Sequence, residues 1–340
     1  MKHIAYPSIN QFRNTVYDVN HATSYMGKDE NDQPIFDYTL VKPTLGFTGT
    51  CKLHGTNASI CYNYNEFWCQ SRSQNITVQK DNAGFAFFVE ARKDVFLNIL
   101  NEIKDKNNID ITRSTISLYG EFAGKGIQKG VAIAEIEKSF FIIGIKIVDE
   151  NDERYWVDCE GYRNPDNRIY NINDYKKYHI DVDFNAPELS QNKIIEYTLE
   201  VEEQCPVASE FGITGIGEGI VFTHRSEGRS YTFKSKGIKH TKSKVKTLKV
   251  VNTDKINKLM EIADKVTPPW RLEQFLNEVC DLNNGGMITR DKIPVFMKAV
   301  IADIVKEEMD VLKEADIEIK EIGKYVSEIA KKYFFEQEKL

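Results

Sequence analysis

The sequence predicts an α+β fold, with a large body of antiparallel sheets and helices followed by a small all-α C-terminal region. Two patterns and a size argument lead there. Up to about residue 250, apolar residues fall in strand-sized runs separated by Gly, Asn and Ser, whereas after Asp254 they recur at helical spacing. The chain has 340 residues, enough for one large domain and a smaller one. The expected boundaries are 1–245 for the body, 246–253 for a connector and 254–340 for the helical part.

Taken in order, Ile60-Cys61-Tyr62 and Phe67-Trp68-Cys69 read as a hairpin, with asparagines suited to the turn between them. Residues 86–104 place Phe87, Phe88, Ala91, Val95, Ile99 and Ile103 at helical spacing. Ile116 to Glu121 and Phe140 to Val148 read as buried strands, and residues 219–223 and 230–234 as a second strand pair. Beyond Asp254, helices are expected around Ile256 to Ala263, after Pro268-Pro269, over 291–313 and over 317–335. Asn284-Gly285-Gly286 is a turn.

Composition narrows the class. With 41% hydrophobic and 28% charged residues the chain has the make-up of a globular protein. The N-terminus lacks the apolar core of a signal peptide, and the longest apolar run, around Phe140 to Val148, is strand-sized and carries Lys146. No membrane partner is expected. The six cysteines show neither metal-ligand pairing nor compact disulfide spacing, so buried thiols in a reducing cytoplasm are expected. Nothing suggests a coiled-coil seam, which leaves a monomer as the expectation. Net charge is −6, yet residues 228–253 contain no acidic residue and eight Lys or Arg. That block is either a solvated face or a phosphate-binding strip.

The chemistry concentrates in a few segments. Thr50-Cys51-Lys52-Leu53-His54-Gly55-Thr56-Asn57 puts a lysine beside a glycine turn, offering a fixed positive charge or, once deprotonated, a nucleophilic amine. Ser71-Arg72-Ser73 follows the first hairpin. Gly120-Glu121 runs from a strand end into a glycine-rich loop that ends at Gly130. Phe140-Phe141 opens the next strand. Glu218-Gly219-Ile220-Val221 precedes Thr232-Phe233-Lys234-Ser235-Lys236. Singly, each has a plain reading: strand-end carboxylates, edge-strand lysines, core aromatics.

In order and spacing, these segments resemble nucleotidyltransferase motifs I, Ia, III, IIIa, IV and V of the covalent ligase and capping-enzyme superfamily. Lys52 to Asn57 resembles the Lys-x-His-Gly-x-Asn form of the RNA ligase 2 family, where DNA ligases carry Lys-x-Asp-Gly. Residues 120–130, Gly-Glu-x-x-Gly-x-Gly-Ile-Gln-Lys-Gly, resemble the same family. The resemblance implies a nucleotidyltransferase (ATP-grasp-like ligase) domain and an ATP-dependent RNA ligase acting in RNA repair. It further implies a lysyl-AMP intermediate on Lys52, Mg2+ or Mn2+ as cofactor, and RNA, above all nicked duplex, as substrate.

By the same resemblance Glu218 orders the metal, and Lys234 and Lys236 neutralise the triphosphate. Glu121 bonds the ribose and Phe141 stacks on adenine, with Phe140 as the alternative. Arg72 touches the ribose or the 5′-phosphate, and Asn57 a phosphate oxygen or a metal-bound water. Cys51 and Leu53 border the nucleotide; Cys51 stands where some relatives have glutamate. His54 takes the place of the DNA-ligase aspartate and has an auxiliary role. A free lysine is protonated at neutral pH, and removing that proton costs roughly 4 kcal/mol, which nearby cations lower. Lys239, Lys242, Lys244 and Lys246 are the candidate RNA-backbone contacts. Lys324, Lys331 and Lys332 form either a further contact or a solvated helix face. The competing readings are a small ATP-dependent DNA ligase, a capping guanylyltransferase and a nucleic-acid-binding protein on the same scaffold.

Overall fold

The structure is a computed structural model that describes every residue except 38–39, 227–228, 241–247 and 339–340. Lys242, Lys244 and Lys246 lie outside the described residues. In chain order the first elements are β1 (Asn10–Gln11), α1 (Phe12–Ser24), β2 (Tyr25–Lys28), β3 (Pro34–Phe36) and β4 (Thr44–Cys51). Then come β5 (Thr56–Tyr62), β6 (Phe67–Ser71), β7 (Asn75–Ile76), α2 (Phe85–Glu90) and α3 (Lys93–Lys106). A third group is β8 (Ser114–Ala123), β9 (Ser139–Asp149), β10 (Arg154–Val157), β11 (Ile169–Asn171) and β12 (Tyr178–Asp183). After α4 (Gln191–Glu203) and α5 (Pro206–Ser209), the hairpin β13 (Gly219–Ser226) and β14 (Arg229–Lys236) follows. The remainder is helical: α6 (Thr253–Val266), α7 (Pro269–Cys280), α8 (Ile293–Glu307), α9 (Met309–Glu314) and α10 (Ile319–Glu338).

The helix expected over 86–104 is broken at Ala91–Arg92 into α2 and α3, and that expected over 291–313 is broken at Glu308. In each case an apolar face continues through the break, so periodicity alone does not show it.

Two sheets dominate. One runs β1-β14-β13-β4-β12; the other runs β10-β9-β8-β5-β6-β7, with β11 also paired to β9. Most pairings with a defined register are antiparallel, but β1 runs parallel to β14 and β11 parallel to β9. On the first sheet, alternation buries Phe47, Phe222 and Phe233 on one face, where the ring of Phe233 meets Phe12 of α1 at 5.0 Å. The other face presents Thr50 and Val221. On the second sheet, Ile60, Leu118, Phe122 and Phe140 pack with Phe96 and Leu100 of α3 in one core. A bulge opposite Tyr119–Gly120 leaves Ile143 out of the β8–β9 register. The alternation of β9 therefore shifts: Phe140 and Ile142 face the core before the bulge, and Ile145 and Ile147 after it.

The chain forms two compact units. One comprises 1–15, 45–182 and 190–249; the other comprises 16–44, 183–189 and 250–340. Within the second, Leu272, Phe296, Val300, Val326 and Phe334 share a core drawn from α7, α8 and α10. That unit also includes the β2–β3 ribbon, so strands as well as helices contribute to it. No described helix is long and apolar enough to cross a membrane.

Candidate active site

A cavity of about 310 Å³ opens between the two sheets, with Thr50 and Val221 on one wall and Glu121 and Ile143 on the other. Lys52 lines it where β4 ends. The Lys52 backbone N–H donates to the Gly219 carbonyl at 2.8 Å, which fixes the lysine loop against the start of β13. Gly55 is needed for the next turn, since a Cβ there would sit 2.3 Å from the Phe122 carbonyl oxygen. With that close approach, the Gly55 N–H donates to Glu121 Oε1 at 2.9 Å.

Glu218 is the hub of the charged end. It is only 2% exposed, and its two carboxylate oxygens face two lysines: Lys52 Nζ at 2.7 Å from Oε2 and Lys236 Nζ at 2.5 Å from Oε1. His54 Nδ1 lies 3.4 Å from Oε2. Burial pushes the Glu218 carboxyl up, but the two lysines outweigh it and hold it below its ordinary value. Lys234 stands opposite Val221 and two residues before Lys236, so the two lysines project from the same face of β14. Burial, then Lys236, Lys52 and Arg72, press the Lys234 ammonium below its usual value.

Glu121 behaves differently. Burial raises its carboxyl to about 7, Lys52 and the Gly55 N–H pull against that rise, and Glu218 adds to it. Its register partners are Asn57 on β5 and Phe141 on β9, and Phe141 in turn pairs with Tyr170 on β11. Directly opposed residues share a face, so Asn57, Glu121, Phe141 and Tyr170 form one row across the sheet.

That row separates the two candidate aromatics. Phe140 points to the opposite side, where its ring lies 5.2 Å from Phe85 and 5.9 Å from Phe96. Phe141 shares the face of Glu121 but is fully buried, stacked on Tyr170 at 5.3 Å and met edge-on by Phe211. The cavity beside Lys52 is lined on β9 by Ile143 and does not reach Phe141.

The remaining expected residues are placed as follows. Cys51 is buried, with Sγ 3.9 Å from Cys205 Sγ, and the Cys205 contact and burial raise its thiol. Leu53 is buried, and its carbonyl lies 3.5 Å from Lys52 Nζ. Arg72 is exposed in the turn after β6, and its charge is felt by both Glu121 and Lys234. Lys239 is exposed, and its backbone N–H donates to the buried Glu202 at 2.5 Å. Lys324 pairs with Glu188 at 3.0 Å. Arg225, which lines the cavity from β13, was not singled out from sequence, because a lone arginine on an alternating strand carries no motif.

Among the described residues no group of three or more His, Cys, Asp or Glu side chains is placed to hold a metal. The donors at hand are single carboxylates, hard oxygen ligands that suit an ion keeping waters and phosphate oxygens for most of its shell.

Known proteins resemble this chain over part of its length. Naegleria gruberi RNA ligase is similar in several solved structures. A lysine-to-methionine variant with AMP and Mn matches at 13% identity and a TM-score of 0.42, over 68% of this chain and 56% of that one. The enzyme with PPi matches at 14% and 0.42, over 68% and 56%. An arginine-to-alanine variant with ATP and Mn matches at 14% and 0.43, over 69% and 56%. The matched part thus spans little more than half the length of those ligases. A family model described as RNA ligase matches residues 46–251, a stretch that contains Lys52, Glu121, Glu218, Lys234 and Lys236. Since that match covers more than half of the sequence, the chain belongs to the RNA ligase family.

Proposed function

We propose that the protein is an ATP-dependent RNA ligase of the RNA ligase 2 type, sealing 3′-OH and 5′-phosphate ends, chiefly at nicks in duplex RNA. The observation that carries this reading is the buried Glu218 carboxylate bridging Lys52 and Lys236. The adjoining ends of β4, β13 and β14 therefore hold a candidate nucleophile and a second cation, each within hydrogen-bond reach of one counter-charge.

The chemistry balances in three displacements. Lys52 Nζ, having lost a proton, bonds to the α-phosphorus of ATP; the α–β P–O bond breaks and pyrophosphate departs with the electron pair. A 5′-phosphate oxygen of RNA then bonds to that phosphorus, and the P–N bond returns its pair to Lys52. Finally the 3′-hydroxyl, giving its proton to solvent, bonds through oxygen to the 5′-phosphorus, and the P–O bond to AMP breaks so that AMP leaves with the electron pair. Lys234 and Lys236 offset the negative charge of the phosphates at their most crowded. Release of Lys52 from Glu218 frees Nζ for attack. Glu218 would hold Mg2+ or Mn2+, which when bound supplies positive charge against the triphosphate. Glu121 bonds the ribose, Phe141 becomes the adenine platform once its stack with Tyr170 opens, and Arg72, Asn57 and His54 orient phosphates and the lysine loop.

The deciding experiment is intact mass after incubation with Mg2+ and ATP, GTP or NAD+ in turn. An AMP adduct is expected with ATP, reversed by pyrophosphate and absent from Lys52→Ala, whose circular dichroism should match the parent. An adduct that survives in Lys52→Ala would overturn the choice of nucleophile. No adduct with any nucleotide, from folded protein free of pre-bound AMP, would overturn the ligase reading. Sealing of nicked duplex RNA against nicked DNA then tests the substrate.

A further inference from the structure

A second cavity, of about 480 Å³, adjoins the first and shares Arg225 and Asp158 with it. Its walls are Arg154 to Asp158, on and just after β10, and Arg225, Ser226 and Arg229 of the β13–β14 hairpin. Among its described lining residues, three guanidinium groups thus share one carboxylate, Asp158. Arg154 pairs with Asp152 at 2.9 Å, whereas Arg225 and Arg229 pair with no carboxylate among the described residues.

A fourth cation stands behind them. Lys146 is only 7% exposed and makes no ion pair among the described residues; its Nζ lies 4.6 Å from the centre of the Trp156 ring. The Arg225 guanidinium carbon lies 4.5 Å from the centre of the same ring. Two backbone features allow this. The bulge at Ile143 puts Gly144 and Lys146 on the side of β9 that faces away from the α3 core, and Gly144 leaves room for the stack. A Cβ at Gly144 would sit 2.9 Å from the Trp156 ring and 3.5 Å from the Arg225 guanidinium. The ring quadrupole offsets part of the repulsion among the cations, and among the described residues no carboxylate pairs with Lys146, Arg225 or Arg229. Two cations on one indole, with Arg154 and Arg229 lining the same cavity and little counter-charge among the described residues, are arranged for an anion.

We propose that this cavity is a second nucleic-acid contact, binding a single-stranded stretch of RNA away from the reacting ends. Arg225, Arg229 and Arg154 hold phosphates, and a base lies against Trp156 or Tyr155, the latter 49% exposed. Arg154 and Arg229 do not line the Lys52 cavity, and Arg225, shared by both cavities, stands six residues along β13 from Gly219, roughly 20 Å at the usual rise. Naming RNA as the ligand rests on the ligase reading; the presence of an anion site does not.

The test compares the full-length protein with an Arg154→Ala/Arg229→Ala variant, neither residue lining the Lys52 cavity. Binding of a labelled 20-nucleotide oligouridylate is followed by fluorescence anisotropy across a salt series, and AMP attachment by mass in parallel. The variant is expected to bind about tenfold more weakly, with a salt slope shallower by about 1.4, the value for two lost phosphate contacts on a single strand. Its AMP attachment should be unchanged, and Arg154→Lys/Arg229→Lys should restore the slope. Photocrosslinks from 4-thiouridine should map to Tyr155 or Trp156. Equal affinity and slope in variant and parent, crosslinks confined elsewhere, or no RNA binding by the parent would each overturn the proposal and leave the stack as a structural brace. Failure of the ligase reading registers separately, as absence of AMP attachment in the parent.

Discussion

Glu121 and Phe141 are cross-strand neighbours that respond to different perturbations. The Glu121 carboxyl is raised by burial to about 7, against the opposing pull of Lys52 and the Gly55 N–H and with Glu218 and Arg72 also in its field. From about pH 4.5 to 7 the folded protein keeps a proton that the unfolded chain has lost, so stability falls as pH rises through that window. The amplitude is at most about 3 kcal/mol, since each pKa unit is worth about 1.4. Glu218 opposes this trend, because its lowered carboxyl contributes stability that is lost as pH falls. Glu121→Gln should therefore gain stability over the parent at pH 8 relative to pH 5, as read from urea unfolding. Parallel profiles for the two proteins would show that Glu121 is ionised at no cost. Phe141, by contrast, is a packing residue in the present geometry. Phe141→Ala should cost about 3–5 kcal/mol in the same assay. Phe141→Leu keeps most of the volume and isolates the proposed stacking: unfolding should change little, while the KM for ATP in AMP attachment should rise. An unchanged KM would remove Phe141 from the nucleotide site.

Among the elements, α7 is held by a buried cation. Arg271 is 2% exposed, with Nε 2.9 Å from Asp303 of α8 and one guanidinium nitrogen 2.7 Å from Glu308, the residue that ends α8. Its other terminal nitrogen donates to the Val266 carbonyl at the end of α6. Arg271→Ala takes the donor from the Val266 carbonyl and Glu308 and the ion-pair partner from Asp303. Fully buried pairs cost about 3–5 kcal/mol to break, but Asp303 and Glu308 keep about a fifth to a quarter of their exposure, so the expected loss is about 2–3 kcal/mol. Arg271→Lys should recover only part of it, because one ammonium cannot span three acceptors. Equal stability of the two variants, measured by thermal melts, would argue against the fork geometry. Element types were readable where apolar spacing is strong, as in α6, α7, α10, the β5–β6 hairpin and the β13–β14 hairpin. Helix α1 was not, since its run Asn14-Thr15-Val16-Tyr17-Asp18-Val19-Asn20 is poor in strong helix formers. The bulge in β9 was equally hidden, because it depends on the register with β8.

For the whole molecule, the composition of the second unit bears on where the chain can be cut. Residues 16–44 and 183–189 group with 250–340, and Glu188 takes both Lys324 and the Tyr325 hydroxyl as partners. A chain ending at Lys249 would strip those segments of their packing, so its melting temperature should fall by about 5 °C or more. An unchanged melt would show that 1–249 is self-sufficient, in line with the boundary at 245 that the sequence suggests.

The sequence by itself determined the α+β class, the strand pairs and the order of the charged and glycine-rich segments. Those are local or ordered properties: residue type, period and spacing along one chain. It also marked Lys52, Glu121, Glu218, Lys234 and Lys236 as one candidate set, by the resemblance of their order and spacing to known motifs. Only the tertiary structure decided that Glu218 bridges Lys52 and Lys236 and that Phe141, and not Phe140, shares the face of Glu121. It alone gathered Lys146 and Arg225 around the Trp156 ring. Such facts depend on register and on which sheet faces meet, and residues 80 apart in sequence become neighbours through pairings that no local pattern encodes.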